Sequence, residues 1–267
     1  WLAENIEAAN LVILDTGRSA EDYEGGHIPG ARYFSRDEFY GEADGLQGMF
    51  PGVEEVESAL RQVGVNNDSQ VLIYDPGHGL WATRLFWTLE LLGHESVAVL
   101  NGGYSKWNRE NRSVSTEAPS WTAGNFEAEF QPQLVVSGRQ LVADLDNVTV
   151  IDTRSRGEYE GSDIRADRGG HIPGAVHLEW VLNNTGGDTT TLPAGRGASR
   201  VLLGRARGQG RHRRHALPDR RPRCAHLLRA ATARLRCGAV RRQLGGMGQR
   251  PRLPGRHRKL IRGGPDG

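Results

Sequence analysis

The chain has 267 residues, 37% of them hydrophobic and 25% charged, a length that suits two domains of ordinary size. Its formal net charge of +2 joins two unlike parts: residues 1–194 carry 13 Lys and Arg against 30 Asp and Glu, a net of −17, and residues 195–267 carry 21 against 2, a net of +19. The only two cysteines, Cys224 and Cys237, exclude a disulfide framework and a four-thiolate zinc site, and they make a reducing compartment the default.

No apolar run approaches the length of a membrane span. The opening WLAENIEAANLVILD has no basic leader segment and no cleavage pattern. It reads as an already trimmed or incomplete start, and the simplest location is cytoplasmic. Residues 11–15, LVILD, form a short buried strand by pattern. Residues 25–34, GGHIPGARYF, read as a turn at Pro29-Gly30 followed by a second apolar run. In VEEVESALRQVG, Val53, Val56, Leu60 and Val63 share one helical face, and Gly64 can end the helix. Residues 69–75, SQVLIYD, are a buried strand. After PGHG comes LWATRLFWTLELLG, an apolar helix ending at Gly93. SVAVLNGG is a further strand and turn. Strands alternating with helices predict an α/β domain on a parallel sheet.

A Ser-, Thr-, Glu- and Pro-rich linker follows, with its expected extent at residues 118–133. Then the pattern restarts. VVSGRQLVADLDNVTVIDTRS offers a helix and a strand ending in IDTR. HIPGA occurs at residues 27–31 and again at 171–175, an offset of 144 residues. Such self-similarity marks an internal duplication.

With D-x-R, then EY, then GHIPGA in order, and NGGYSKW in the first copy, the chain resembles the rhodanese family of sulfurtransferases, in its tandem arrangement. The resemblance implies an α/β fold of two rhodanese-like domains, each a parallel central sheet flanked by helices. It also implies ping-pong chemistry. A cysteine thiolate takes sulfane sulfur from thiosulfate or 3-mercaptopyruvate as a persulfide and passes it to cyanide or another thiophilic acceptor. The thiolate sits in a loop of roughly C-x-x-G-x-R form in the second domain. Backbone N–H groups and a helix start there stabilise the anion.

The first copy of that loop, DPGHGLWATR at residues 75–84, has no cysteine, as in the non-catalytic domain of tandem members. His78 within it reads as a turn or interdomain contact, with substrate binding as the alternative. In the second copy the nucleophile is expected near Leu217 and Pro218, where the text is HALPDRRPRC. Cys224 is followed by AHLLRA without a turn glycine, and Cys237 sits in RCGAVRR. Neither follows a strand, so neither is read as the nucleophile.

A one-base shift of frame resolves this. Permissible codons for residues 217–226 then read CQTGVRAAH, which has the form of the family's active loop. Met247 has one codon, and ATG followed by any Gly codon reads TGG, tryptophan, in the shifted frame. Upstream, GRARGQGRH reads close to the first copy's RQVGVNND. The last 73 residues contain 20 Arg, one Lys and no Phe, Tyr or Trp, the composition of a GC-rich strand read out of phase. We infer a frameshift near residues 194–200, which disrupts the second domain after about residue 194. The expected organisation is a non-catalytic domain at 1–117, the linker at 118–133, the start of a catalytic-type domain at 134–194 and an out-of-frame segment at 195–267. That start is expected to lack the later strands and helices that would cover its sheet.

The Arg run lacks the interleaved aromatics and motif spacing of a nucleic-acid binder. No specific nucleic-acid partner is expected. The partners implied by the resemblance are a small anionic sulfur donor and a thiophilic acceptor, and no metal or organic cofactor is implied. The shifted loop CQTGVR favours thiosulfate, because an Arg suits a compact dianion. The alternatives are 3-mercaptopyruvate as donor or a non-enzymatic binding module. Of the residues present, Asp152 and Arg154 in IDTR are the expected site neighbours, as an ion pair or as part of an anion-holding cleft. Arg156, Arg165 and Arg168 are open candidates for a further substrate-contacting Arg. Glu158 and Tyr159 read as capping and packing, and His171 as holding a turn.

Overall fold

The computed structural model describes residues 1–43, 45–184 and 191. The first copy builds a four-stranded sheet in the order β2-β1-β5-β6, all parallel. Its strands are β1 (Leu11–Asp15), β2 (Ala31–Tyr33), β5 (Gln70–Tyr74) and β6 (Val97–Val99). Between β2 and β5 lie an antiparallel hairpin, β3 (Gly41–Ala43) with β4 (Leu46–Met49), and helix α3 (Val53–Gln62). Helices α1 (Leu2–Asn5), α2 (Ala20–Glu24), α4 (Leu80–Leu91) and α5 (Gly103–Arg109) complete this unit.

Strands β1 and β5 are apolar at nearly every position because both faces of the sheet are covered. The register pairs Val12 with Val71 and Leu14 with Ile73, and these four enter one core with Val56 and Leu60 of α3 and Leu85 and Leu89 of α4. The alternate residues Ile13, Leu72 and Tyr74 point the other way, onto Leu2 of α1, Ile28 and Trp107 of α5. The expected elements at residues 11–15, 53–63, 69–75 and 80–93 are therefore present with small differences at their ends. The hairpin β3–β4 and helices α1, α2 and α5 go beyond the sequence reading.

The stretch read as a linker, 118–133, is fastened to the first unit rather than free between the two copies. Phe126 is buried in the core of that unit. The backbone N–H groups of Asn125, Glu127 and Ala128 donate to the side chains of Asn66, Asn67 and Glu57 at 2.9, 2.8 and 2.7 Å. The N–H of Gln131 donates to the Leu91 carbonyl at 2.7 Å. A free polar stretch would leave these groups to water, whereas here it forms a strap across α3 and the end of α4.

The second copy contributes α6 (Gly138–Asp144), β7 (Ile151–Asp152), α7 (Arg156–Glu160) and β8 (Val176–His177). Strands β7 and β8 pair in parallel, Ile151 with Val176 and Asp152 with His177. In the first copy the matching pairs are Leu14 with Arg32 and Asp15 with Tyr33, so the duplication preserves register. The difference lies in cover. Among the described residues no strand flanks β7 on its other side, where β5 flanks β1, and Ile151 is 38% exposed.

Candidate active site

The loop after β5 closes around its own anion. Asp75 is buried, and its carboxylate accepts four backbone N–H bonds: Gly77 and Gly79 on Oδ1 at 2.9 and 3.1 Å, and Trp81 and Ala82 on Oδ2 at 3.2 and 3.3 Å. Converging N–H groups ahead of a helix are an anion cradle, and in this copy a side chain fills it. The neighbouring NGG turn fits tightly behind. Gly103 has φ +54, and a Cβ there would lie 2.3 Å from the Asp75 carbonyl oxygen. Sequence reasoning passed over Asp75. The signal was present, since Asp before Pro-Gly-x-Gly is turn chemistry.

At the C-terminal end of β1, Asp15 lies fully buried. Its Oδ2 accepts from the Tyr74 hydroxyl at 2.7 Å and from Arg18 Nη1 at 2.9 Å, while Oδ1 has no hydrogen-bond partner. Burial pushes its carboxyl up to about 6, against the opposing pull of the Tyr74 bond and the Arg18 charge. The Tyr74 phenol is raised in turn, by burial and by the adjacent carboxylate. The Arg18 guanidinium packs 4.0 Å from the centre of the Tyr104 ring.

The second copy repeats this construction at Asp152 and Arg154. The guanidinium forks the carboxylate, Nε on Oδ1 at 3.0 Å and Nη2 on Oδ2 at 2.6 Å, and Nη2 also donates to the Gly170 carbonyl at 2.8 Å. These bonds, chiefly the side-chain ones, hold the Asp152 carboxyl below its ordinary range. Other correspondences follow. Ser19 caps α2 and Ser155 caps α7. The hydroxyls of Tyr23 and Tyr159 donate to the carbonyls of Ala31 and Ala175, both at 2.8 Å. His27 and His171 stack on those tyrosines at 4.0 and 3.8 Å, with each Nδ1 against the tyrosine carbonyl. Tyr33 donates to the Arg18 carbonyl, and His177 Nε2 lies 2.9 Å from the Arg154 carbonyl. Both histidines of GHIPGA therefore hold their turn, as the sequence reading expects of His171.

The further arginines separate by their partners. Arg156 pairs with Glu160 at 2.6 Å and Arg165 with Asp163 at 2.8 Å. Arg168 is exposed and makes no ion pair among the described residues. Glu158 closes a capping box with Ser155. His78 is exposed, and its carbonyl accepts from Asn184 Nδ2 at 3.1 Å. That bond joins the first-copy loop to the second copy beside a small, shallow cleft. Gly77, Gly79, Gly102, Asn184 and Thr191 are among the residues lining it. Asn184 and Thr191 had no motif to mark them. The positions expected for the nucleophile, Leu217 and Pro218, and the two cysteines, Cys224 and Cys237, lie outside the described residues. No cluster of His, Cys, Asp or Glu suited to a metal occurs among the described residues, and no helix there is long and apolar enough to cross a membrane.

A sheet of this order, with a Gly-rich anion loop at its strand ends and a second copy of the same β–turn–helix construction, defines a tandem α/β domain protein. A family model described as the rhodanese-like domain matches residues 1–110. The chain is 34% identical over 195 residues to the 3-mercaptopyruvate sulfurtransferase of Escherichia coli (strain K12), covering 68% of this chain and 69% of that protein. It is 33% identical over 182 residues to the thiosulfate sulfurtransferase of Azotobacter vinelandii, covering 67% of each. The crystal structure of SseA from Escherichia coli, a 3-mercaptopyruvate sulfotransferase, superposes with a TM-score of 0.67 at 30% identity, over 77% of this chain and 81% of that one. The chain belongs to the rhodanese family.

Proposed function

We propose that this is a tandem-domain sulfurtransferase using thiosulfate, and that the chain as written has lost its nucleophile to a frameshift near residues 194–200. The observation that supports this reading is that the described part of the second copy repeats the turn of the first: the parallel strand pair, the tyrosine-to-alanine bond and the histidine stacked on that tyrosine. In the restored frame, CQTGVR supplies the cysteine. Its thiolate attacks the outer sulfur of thiosulfate, the S–S bond breaks, sulfite leaves and a persulfide remains. Cyanide then takes the terminal sulfur, thiocyanate leaves and the thiolate returns. The proposed organisation is a first domain in 1–117, a connection in 118–133, the start of the catalytic-type domain in 134–194 and an out-of-frame segment beyond.

Arg154 is proposed as a positioning residue. Arg18 likewise pairs with Asp15, through one bond, in a copy whose loop carries no cysteine, which supports a structural reading of the pair. Arg168, with no carboxylate partner among the described residues, is proposed as the arginine that meets an anionic donor. A second reading, 3-mercaptopyruvate as donor, is favoured by the 34% identical relative of that name. The loop arginine of CQTGVR supports thiosulfate. Sequencing the coding DNA across codons 185–267 tests the frameshift, and thiocyanate formation by the in-frame protein tests the donor. An intact frame matching the written sequence overturns the first. Faster turnover with 3-mercaptopyruvate than with thiosulfate overturns the second.

A further inference from the structure

His94 sits where three elements meet. It follows Gly93 at the end of α4, and its backbone N–H donates to the Leu89 carbonyl at 2.9 Å. Its ring is buried and packs against Phe126 of the strap, with ring centres 5.4 Å apart. Nε2 lies 3.2 Å from the carbonyl of Asn66, in the loop after α3. The side chain of the same Asn66 receives the Asn125 N–H of the strap. A carbonyl can only accept, so the ring proton is on Nε2. Nδ1 is then a bare lone pair, buried and without a hydrogen-bond partner. The strap runs close by. Glu129 N–H donates to the Leu92 carbonyl at 2.9 Å, and a Cβ on Gly93 would lie 2.8 Å from the Glu129 carbonyl oxygen.

We propose that His94 is an acid-sensitive latch on the strap: the neutral ring holds residues 124–131 in place, and the protonated ring releases them. Protonation adds an N–H at Nδ1 that has no acceptor, and it places a charge in the contact with Phe126. The charged groups on the surrounding elements are Glu90 on α4, Glu95 beside the ring, Asp68 in the Asn66 loop, Glu57 and Arg61 on α3, and Glu127 and Glu129 on the strap. None of them bonds to Nδ1, and Glu57 and Arg61 pair with each other. Burial, opposed by the Asn66 bond, holds the ring below its ordinary value of 6.5. The open strap therefore binds the proton more tightly than the closed one. The latch is intact above about pH 6.5 and weakens as pH falls below it. Release would add up to about 27 Å of reach to the connection between the two copies.

Hydrogen exchange of the full chain tests this, read as protection factors after correction for the intrinsic rate at each pH. The amides of Phe126, Glu129 and Gln131, bonded to the carbonyls of Val65, Leu92 and Leu91, report the strap. Between about pH 7.5 and about pH 5.5 their protection is expected to fall about five- to tenfold. The amides of β1 and β5 are expected to change by less than about twofold, because Asp15 titrates in the same range with the opposite sense. His94→Gln keeps a donor toward the Asn66 carbonyl but cannot take the proton, so its strap should show no such fall. Unchanged strap protection in the parent chain overturns the proposal. A fall of equal size in β1 and β5 also overturns it, by showing unfolding of the whole unit. The same fall in His94→Gln overturns it in favour of the carboxylates of Glu57, Glu127 or Glu129. The ring ¹⁵N shifts of the parent chain at about pH 7.5 give a check that needs no variant. A neutral ring with its proton on Nε2 is expected, and a proton on Nδ1 overturns the proposal.

Discussion

Ile28 and Ile172 occupy the same place in two copies of one turn, yet Ile28 is 0% exposed and Ile172 is 41% exposed. Both follow a histidine stacked on a tyrosine, and both precede Pro-Gly-Ala. The difference is what lies above them. Ile28 packs with Leu72, Tyr74 and Trp107, which come from β5 and α5, elements with no described counterpart in the second copy. Ile28→Ala should therefore cost about 3 kcal/mol, the loss of a fully buried branched side chain. Ile172→Ala should cost under about 1 kcal/mol. Urea denaturation of the two variants checks this. Equal losses would mean that Ile172 is covered in solution.

Asp15 should make stability depend on pH in an unusual direction for a carboxylate. Its folded value of about 6 lies above the ordinary 3.8, so the folded protein holds the proton more tightly than the unfolded chain. The group's contribution is fully present below about pH 4 and is lost as pH rises through about 6, an effect of about 3 kcal/mol across the window. His94 titrates nearby with the opposite sense, because burial lowers its value. Comparing the wild type with Asp15→Asn between pH 4 and pH 8 subtracts it. The wild type should lose stability relative to the variant as pH rises. A difference that is flat with pH would contradict the burial of an ionisable Asp15.

The elements that were legible in the sequence are those whose apolar spacing is local. β1, α3, β5 and α4 each advertise themselves within a dozen residues, and the GHIPGA repeat announced the second copy. The strap was not legible. Its polar composition describes a linker equally well, and its partners Asn66, Asn67 and Glu57 lie 59 to 71 residues away. The short α2 was missed because five residues give too little periodicity, although Ser19 ahead of Asp22 is a capping signal. The Asp152–Arg154 pair was legible through a motif. The motif could not say that the pair spends its hydrogen bonds on itself and on Gly170. Nor could it say that Arg156 and Arg165 pair with Glu160 and Asp163.

Asp75 should be worth more to the first unit than a surface carboxylate. Asp75→Ala leaves four N–H donors around an empty space, for a cost of about 2 to 3 kcal/mol. Asp75→Asn keeps one acceptor oxygen but sets an amide NH₂ against N–H donors, so it should recover little. Thermal denaturation of both variants measures the effect. A loss below about 0.5 kcal/mol for Asp75→Ala would mean that water replaces the carboxylate at no cost.

In the frame-corrected protein, Arg168→Gln should raise the KM for thiosulfate about tenfold with little change in kcat, as expected for the loss of one charge-assisted contact made equally in ground and transition states. Arg154→Lys should act instead through the turn, lowering stability and affecting both donors alike. Steady-state kinetics with thiosulfate and 3-mercaptopyruvate separate the two roles. The chain as written should yield no thiocyanate at all, and Cys224→Ser should leave that unchanged.

The strap also sets the leash between the two copies. Once Gln131 is bonded to the Leu91 carbonyl, only the five residues before Ser137, which caps α6, are left to connect them. Three of those five form a tight turn at Pro132–Leu134. A link of that length spans about 17 Å at most. It keeps the second copy at a high effective concentration beside the loop of Gly77 and Gly79. The cleft between the copies can then be assembled by tethering, without a large apolar interface to hold the halves together.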